Sequence, residues 1–153
     1  MTEQTVIHFY STRGEYGCFS NFSRHAVFLR GKRWRTSEHF FQAMKFEGTR
    51  HEERVRMCKT PSEAAALGRS RKLPLRRDWE AVKDEIMLEA VRAKFTQHAD
   101  LQQILLGTGD ATLVEHTAND SYWGDGGDGS GKNRLGHLLM QVRDDLRRQA
   151  ESS

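Results

Sequence analysis

Helical periodicity over most of the chain, broken by a few short runs of β formers, predicts a mainly α, α+β domain with a few short strands. Three observations carry this. Apolar residues recur at three- and four-residue spacing in several separate stretches, short alternating runs are bounded by Gly and Ser, and the length suits a single core. A chain of 153 residues and 17.6 kDa fits one domain spanning 1–153 and hides roughly 70% of its unfolded surface. Apolar residues at 37% and charged ones at 29% make it polar but not disordered.

The elements follow in order. Val6 to Tyr10 reads as a strand that ends in the turn-rich STRGEYG. A hairpin follows, AVFL and RW around Arg30-Gly31-Lys32. The stretch Trp34 to Phe46, WRTSEHFFQAMKF, is a helix with Thr36 and Ser37 as its natural N-caps. Arg50 to Cys58 is charged and weakly amphipathic. Thr60 then caps a short Ala-rich helix with Pro61 in its first turn and a stop at Gly68. Arg69 to Arg77 carries five basic residues around Pro74 and reads as a loop with a positive field. Asp78 caps a long helix on which Trp79, Val82, Ile86 and Phe95 recur. Leu101, Ile104 and Leu105 mark another that stops at Gly107, and TLVEHT is a strand. Leu135, Leu138, Leu139, Val142 and Leu146 make the stripe of a final helix, with 148–153 as a frayed tail.

The helix from Trp34 to Phe46 is apolar nearly all round. At 100° per residue, Glu38, Gln42 and Lys45 share one narrow polar stripe on it. Polar groups on a buried helix need partners or a ligand. Glu38 lies in the first turn, where the macrodipole favours its ionised form, and such a carboxylate suits a base, a nucleophile or a stabiliser of positive charge. A first-turn residue that only complements the dipole is the competing reading. Asn21 sits between aromatic and hydroxyl residues, where an amide can read a base or sugar edge or close an Asx turn.

The second unusual stretch runs from Tyr122 to Asn133, with five glycines in the eight positions from Gly124 to Gly131. Gly124, Gly126 and Gly129 match GxGxxG formally, but two Asp residues would repel a pyrophosphate and the βαβ setting is missing. Twelve-residue calcium loops begun at Asp120 or Asp125 would end on Gly, where Glu is needed. What remains is a mobile or tightly turned loop laid against a ligand, with Trp123 able to stack on a flat ring and Asp125 able to move a proton. Asn133 and the N–H groups after it could meet a phosphate or ribose. Trp123 as a core anchor and Asn133 as a plain N-cap are the alternatives.

Composition narrows the partners. A formal charge of +3 and pI near 9.0 favour an anionic small molecule over a dedicated nucleic-acid face. Cys18 and Cys58, without a CxxC or His-Cys cluster, read as reduced thiols of a cytoplasmic protein with no zinc site. No apolar run approaches a membrane span and no export signal is visible.

Several long motifs now carry a resemblance: FYSTxxxYGxFSNF at Phe9 to Phe22, GKxWxTSEHxFQAxKF at Gly31 to Phe46, RxxWExVK at Arg76 to Lys83, and VEHTxNDxYWGDGGxGxGKNxLGxLLM at Val114 to Met140. On these the chain is similar to the NADAR family of YbiA-like proteins. Arg35, Phe40 and Met44 depart from a family pattern that often has Pro, Tyr and Gln there. The resemblance implies a mainly helical fold and an N-glycosidase acting on ribosyl compounds: ribosylamino-pyrimidine phosphates of riboflavin synthesis, or ADP-ribose on guanine, in nucleic acid included. It implies Glu38, Lys45 and Asp125 as catalytic residues, and Ser20, Asn21, Phe22, Ser37, His39, Gln42, Arg69, Trp123, Gly124 and Asn133 as substrate contacts, with no metal and no cofactor. Cleaving a C1′–N bond builds oxocarbenium character, which a pre-placed anion such as Glu38 would stabilise, or the anion would activate water. Lys45 could orient Glu38, hold a phosphate or form a Schiff base with a ring-opened C1′ aldehyde. Asp125 would protonate the leaving base. A module that binds ADP-ribose or NAD without turnover is the alternative, and an RNA-binding protein using Arg69 to Arg77 is a weaker one.

Overall fold

Strand β1 (Val6–Phe9) pairs in parallel with β4 (Thr112–Glu115), in the register Val6↔Thr112 through Phe9↔Glu115. Parallel neighbours need a long crossover. Here that crossover holds most of the molecule. In this computed structural model, which describes residues 5–152, the chain divides into two compact units: the part up to Ser20 together with His98 onward, and Asn21–Gln97.

The unit Asn21–Gln97 begins with an antiparallel hairpin, β2 (Val27–Leu29) and β3 (Lys32–Trp34). Its turn is two residues long, Arg30 and Gly31 at φ 55° and 77°, the left-handed pair that matches strand twist. Lys32, anticipated in the turn, already belongs to β3. The Gln97 side chain serves Phe28 as a third strand would, accepting from its N–H and donating to its carbonyl, both at 2.8 Å. The helices are α1 (Ser37–Ala43), continued by a 3₁₀ turn at Met44–Phe46, then α2 (Arg50–Arg56), α3 (Pro61–Gly68) and α4 (Trp79–Gln97).

Helix α1 packs against α2, α3 and α4, so every one of its residues is buried, as the all-round apolar pattern requires. Trp34 meets Phe40 edge-on at 5.3 Å and donates its indole N–H to the Leu29 carbonyl, which ties the hairpin to α1. The Thr60 cap matches the sequence, its side chain accepting from the Glu63 N–H with Pro61 in the first turn. Thr49 caps α2 by accepting from the His51 N–H. Asp78 contributes its carbonyl to the start of α4, but its carboxylate pairs with Arg76 at 2.6 Å and 3.0 Å.

In the other unit a 3₁₀ turn (Gly17–Phe19) follows β1, α5 (Ala99–Gly107) precedes β4, and α6 (Arg134–Ser152) closes the chain. Helix α6 lies on β4 through its leucine stripe and touches α5, and it continues through the residues expected to fray. A Cβ at Gly136 would stand 2.1 Å from the Leu113 carbonyl, so the helix can lie this close to the strand only with glycine there. Arg143, buried on the same helix, donates to Thr108 Oγ1 and the Ala111 carbonyl. Among the described residues, no helix is long and apolar enough to cross a membrane.

Candidate active site

The first cluster is built on the N-terminus of α1. Thr36 is extended (φ −145°, ψ 164°) and its Oγ1 accepts from the His39 N–H at 3.2 Å, as an N-cap should. The same hydroxyl bonds His39 Nδ1 at 2.7 Å, while Nε2 meets the Cys58 carbonyl at 2.9 Å. A carbonyl only accepts, so Nε2 carries the proton and Nδ1 accepts from Thr36. Burial holds the His39 pKa below the ordinary histidine value, which keeps the ring neutral. Both nitrogens are therefore occupied inside the protein, and His39, expected to touch substrate, instead fixes the start of the helix.

Asn21 is bound to the same helix end. Its carbonyl accepts from the Glu38 N–H at 3.2 Å, its Oδ1 from the Ser37 hydroxyl at 2.8 Å, and its Nδ2 lies 3.2 Å from Met87 Sδ. One turn on, Gln42 Nε2 donates to Glu38 Oε2 at 2.9 Å, so the i,i+4 spacing seen in the sequence becomes a direct bond. Gln42 Oε1 is buried with no hydrogen-bond partner among the described residues. Gly68, at the end of α3, makes room for it: a Cβ there would stand 2.1 Å from Oε1.

Lys45 lies in the 3₁₀ turn beyond α1. Its Nζ is 3.3 Å from the Gly68 carbonyl and sits 5.9 Å and 5.7 Å from the ring centres of Phe41 and Trp79. Burial lowers its pKa, partly opposed by the Glu38 charge and assisted by Arg69. Lys45 thus feels both of the charged neighbours that the sequence assigned to its site. Arg69 is exposed just past α3, and Phe22 is half-buried. Of the five basic residues in the following loop, Arg76 is committed to Asp78, Glu47 and the Met44 carbonyl.

The second cluster is the glycine stretch, and it is tightly knit. Backbone bonds from Gly131 to Asp125, Lys132 to Ser121, Asn133 to Gly124, Arg134 to Tyr122 and Leu135 to Trp123, all 2.8–3.0 Å, close the loop on itself. Gly126 and Gly127 adopt φ 75° and 88°. A Cβ at Gly124 would lie 2.9 Å from the Asp120 and Glu115 carbonyls. Asp125, 5% exposed, accepts from the Thr117 N–H at 3.0 Å, the Gly127 N–H at 2.8 Å and His116 Nδ1 at 2.7 Å. The His116 bond first, then the backbone donors, hold its carboxyl down at about 2. Such a carboxylate has no proton to give near neutral pH. Asp125, anticipated as the acid for the leaving base, is instead the anion that orients His116.

His116 escaped the sequence reading. It looked like the last polar position of a strand, and its partner lies nine residues on, across the glycine turn. Asn133 (φ 50°) also has a different task from the substrate contact expected of it, with Oδ1 accepting from the Glu115 N–H and Nδ2 donating to the Leu113 carbonyl, both at 2.9 Å. Its amide extends the edge of β4. Trp123 is half-buried and meets Tyr122 edge-on at 4.8 Å. Ser20 is buried at the end of the 3₁₀ turn Gly17–Phe19. Asn21, Ser37, Glu38, Gln42, Lys45 and the charge of Arg69 thus come together in one unit, and Gly124, Asp125 and His116 in the other.

The family model described as the NADAR domain matches residues 8–147. The chain belongs to the NADAR family. Among its NADAR relatives, the N-glycosidase YbiA of Escherichia coli (strain K12) is 54% identical over 144 residues, covering 94% of this chain and 90% of that protein. The NMR structure of E. coli YbiA superposes with a TM-score of 0.92 at 51% identity, covering all of this chain and 91% of that one. The riboflavin biosynthesis protein VVA0006 of Vibrio vulnificus is 40% identical over 94% of this chain, which spans 39% of that longer protein. The NADAR fold, mainly helical with a few short strands, is therefore the fold of this chain.

Proposed function

We propose that this chain hydrolyses the N-glycosidic bond of a ribosylamino-pyrimidine phosphate, with the Glu38 carboxylate opposite the charge that develops at C1′. The observation that carries this reading is Glu38 itself, a buried carboxyl in the first turn of α1, bonded by the Gln42 amide and close enough to Lys45 to act on its charge. As the C1′–N bond lengthens, the ribose gains oxocarbenium character, and a fixed anion in a water-poor setting stabilises that charge more than it stabilises the ground state. Water then adds its oxygen to C1′ and releases a proton, while the departing nitrogen takes one up. The products are the free aminopyrimidine and ribose 5-phosphate. The names of relatives, N-glycosidase in one case and riboflavin biosynthesis protein in another, support the bond type and the substrate class.

Lys45 favours a second route. A lysine with a lowered pKa has more neutral amine at working pH, and a neutral amine can add to C1′ of the ring-opened substrate, exchange its C1′=N bond to the base for one to Nζ, release the aminopyrimidine, and leave a lysine imine that water later hydrolyses to the sugar aldehyde and free amine. The test incubates the protein with ribosylamino-pyrimidine phosphate and, in parallel, with ADP-ribosylated guanosine, and reads released base by mass spectrometry. Release from the first and not the second is expected. Release only from the second reassigns the substrate, and tight binding with no product from either replaces the enzyme by a binding module. Borohydride added during turnover should leave a ribityl adduct on Lys45 if the imine forms, and none if the carboxylate route acts alone.

A further inference from the structure

The parallel register pairs His8 with Val114, and the ladder continues as the His116 N–H donates to the Phe9 carbonyl at 2.9 Å. His116, two residues past Val114, therefore emerges on the same face of the two-stranded sheet as His8, since side chains alternate with period two. The imidazoles meet edge-on with centroids 5.3 Å apart, and the Asp125 carboxylate lies against the second ring at 2.7 Å. Donor atoms of all three residues fall within 4.8 Å of one another, and both histidines are exposed while Asp125 is buried. We propose that His8, His116 and Asp125 form a binding site for a borderline divalent transition-metal ion such as Zn²⁺.

The donor chemistry selects the class of ion. Two imidazoles and one carboxylate suit zinc, nickel or copper, whereas calcium and magnesium prefer all-oxygen shells. Nitrogens at about 2.0–2.1 Å from a tetrahedral zinc stand about 3.3 Å from each other. Closing from the present spacing needs rotation of the exposed His8 ring and a widening of the 2.7 Å Asp125–His116 contact, while β1 and β4 already pair the two backbones. Three protein ligands leave a fourth position for water. An ion bound by all three residues displaces the Asp125–His116 hydrogen bond.

Tag-free protein titrated with Zn²⁺ in a calorimeter should show saturable one-to-one binding. His8→Ala should weaken that binding by well over about tenfold, since losing even an outer-shell partner commonly costs 10–100-fold. The same variant should retain its circular dichroism spectrum and its glycosidase rate. Absence of saturable binding, or equal binding by the variant, overturns the site. Because the calorimeter reads the ion alone, a protein that fails to cleave ribosyl substrates but binds zinc through His8 refutes the functional reading and leaves the metal site standing.

Discussion

Glu38 and Asp125 are both buried carboxylates, 6% and 5% exposed, yet they are held by opposite means. Glu38 accepts one bond from Gln42, a side chain one turn along its own helix, whereas Asp125 accepts from two backbone N–H groups and an imidazole across left-handed glycine turns. A carboxylate aimed by a side chain on a rigid helix can meet charge on a substrate. One encircled by backbone donors is the knot that ties its loop. The comparison teaches that two equally buried carboxylates can be held in different ways, one from the next turn of its own helix and one from the backbone folded round it.

The largest expected effect breaks the comparison at Glu38. Glu38→Gln keeps the shape and the helix but removes the charge, and kcat should fall by about 10²–10³-fold, the loss typical of one preorganised electrostatic contact, with an unchanged thermal midpoint. If the midpoint collapses instead, Glu38 is structural. Asp125→Asn should reverse the pattern and lose thermal stability first. Its carboxyl titrates at about 2 when folded and near 3.9 when unfolded. The unfolded chain therefore binds the extra proton between those values. The stabilisation is complete above about pH 4 and drains away as the pH falls toward 2. Urea midpoints at pH 5 and pH 3 should differ more for the native chain than for the Asn variant.

Smaller effects sharpen the contrast. Gly68→Ala drives a methyl group into the Gln42 amide without touching Glu38, and a drop of about tenfold in kcat, about 1.4 kcal/mol of barrier, with KM nearly constant would show that Gln42 sets the carboxylate's aim. Thr60→Ala removes the cap of α3 and should cost about 1 kcal/mol of stability, lowering the melting temperature by about 2–4 °C with no change in rate. A rate change there would mean that the carboxylate site senses the far end of α3.

The same contrast explains what could be read beforehand. The Glu38 stripe was legible because helix geometry converts spacing into proximity, so Gln42 at i+4 had to lie beside it. Caps at Thr36 and Thr60 obey local rules and follow from neighbouring residues. Asp125, His116 and Asn133 obeyed none of these. Their partners lie across turns whose course depends on which glycines take positive φ, and nothing in the spacing announces that Asn133 will clip β4 or that His116 will face His8. His39 misled for a related reason: it sits in the motif, but its ring is occupied by Thr36 and Cys58.

The pairing of β1 with β4 bears on how the chain is made. Val6 waits for Thr112, and closing a loop of that length costs about 4 kcal/mol of chain entropy by logarithmic scaling. On the ribosome, at 5–20 residues per second, the first strand stays single for roughly 5–20 s while the hairpin and five helices between them are made. The opening strand thus waits through most of synthesis for its neighbour, and an exposed VIHF segment is where a nascent copy would be most open to a chaperone.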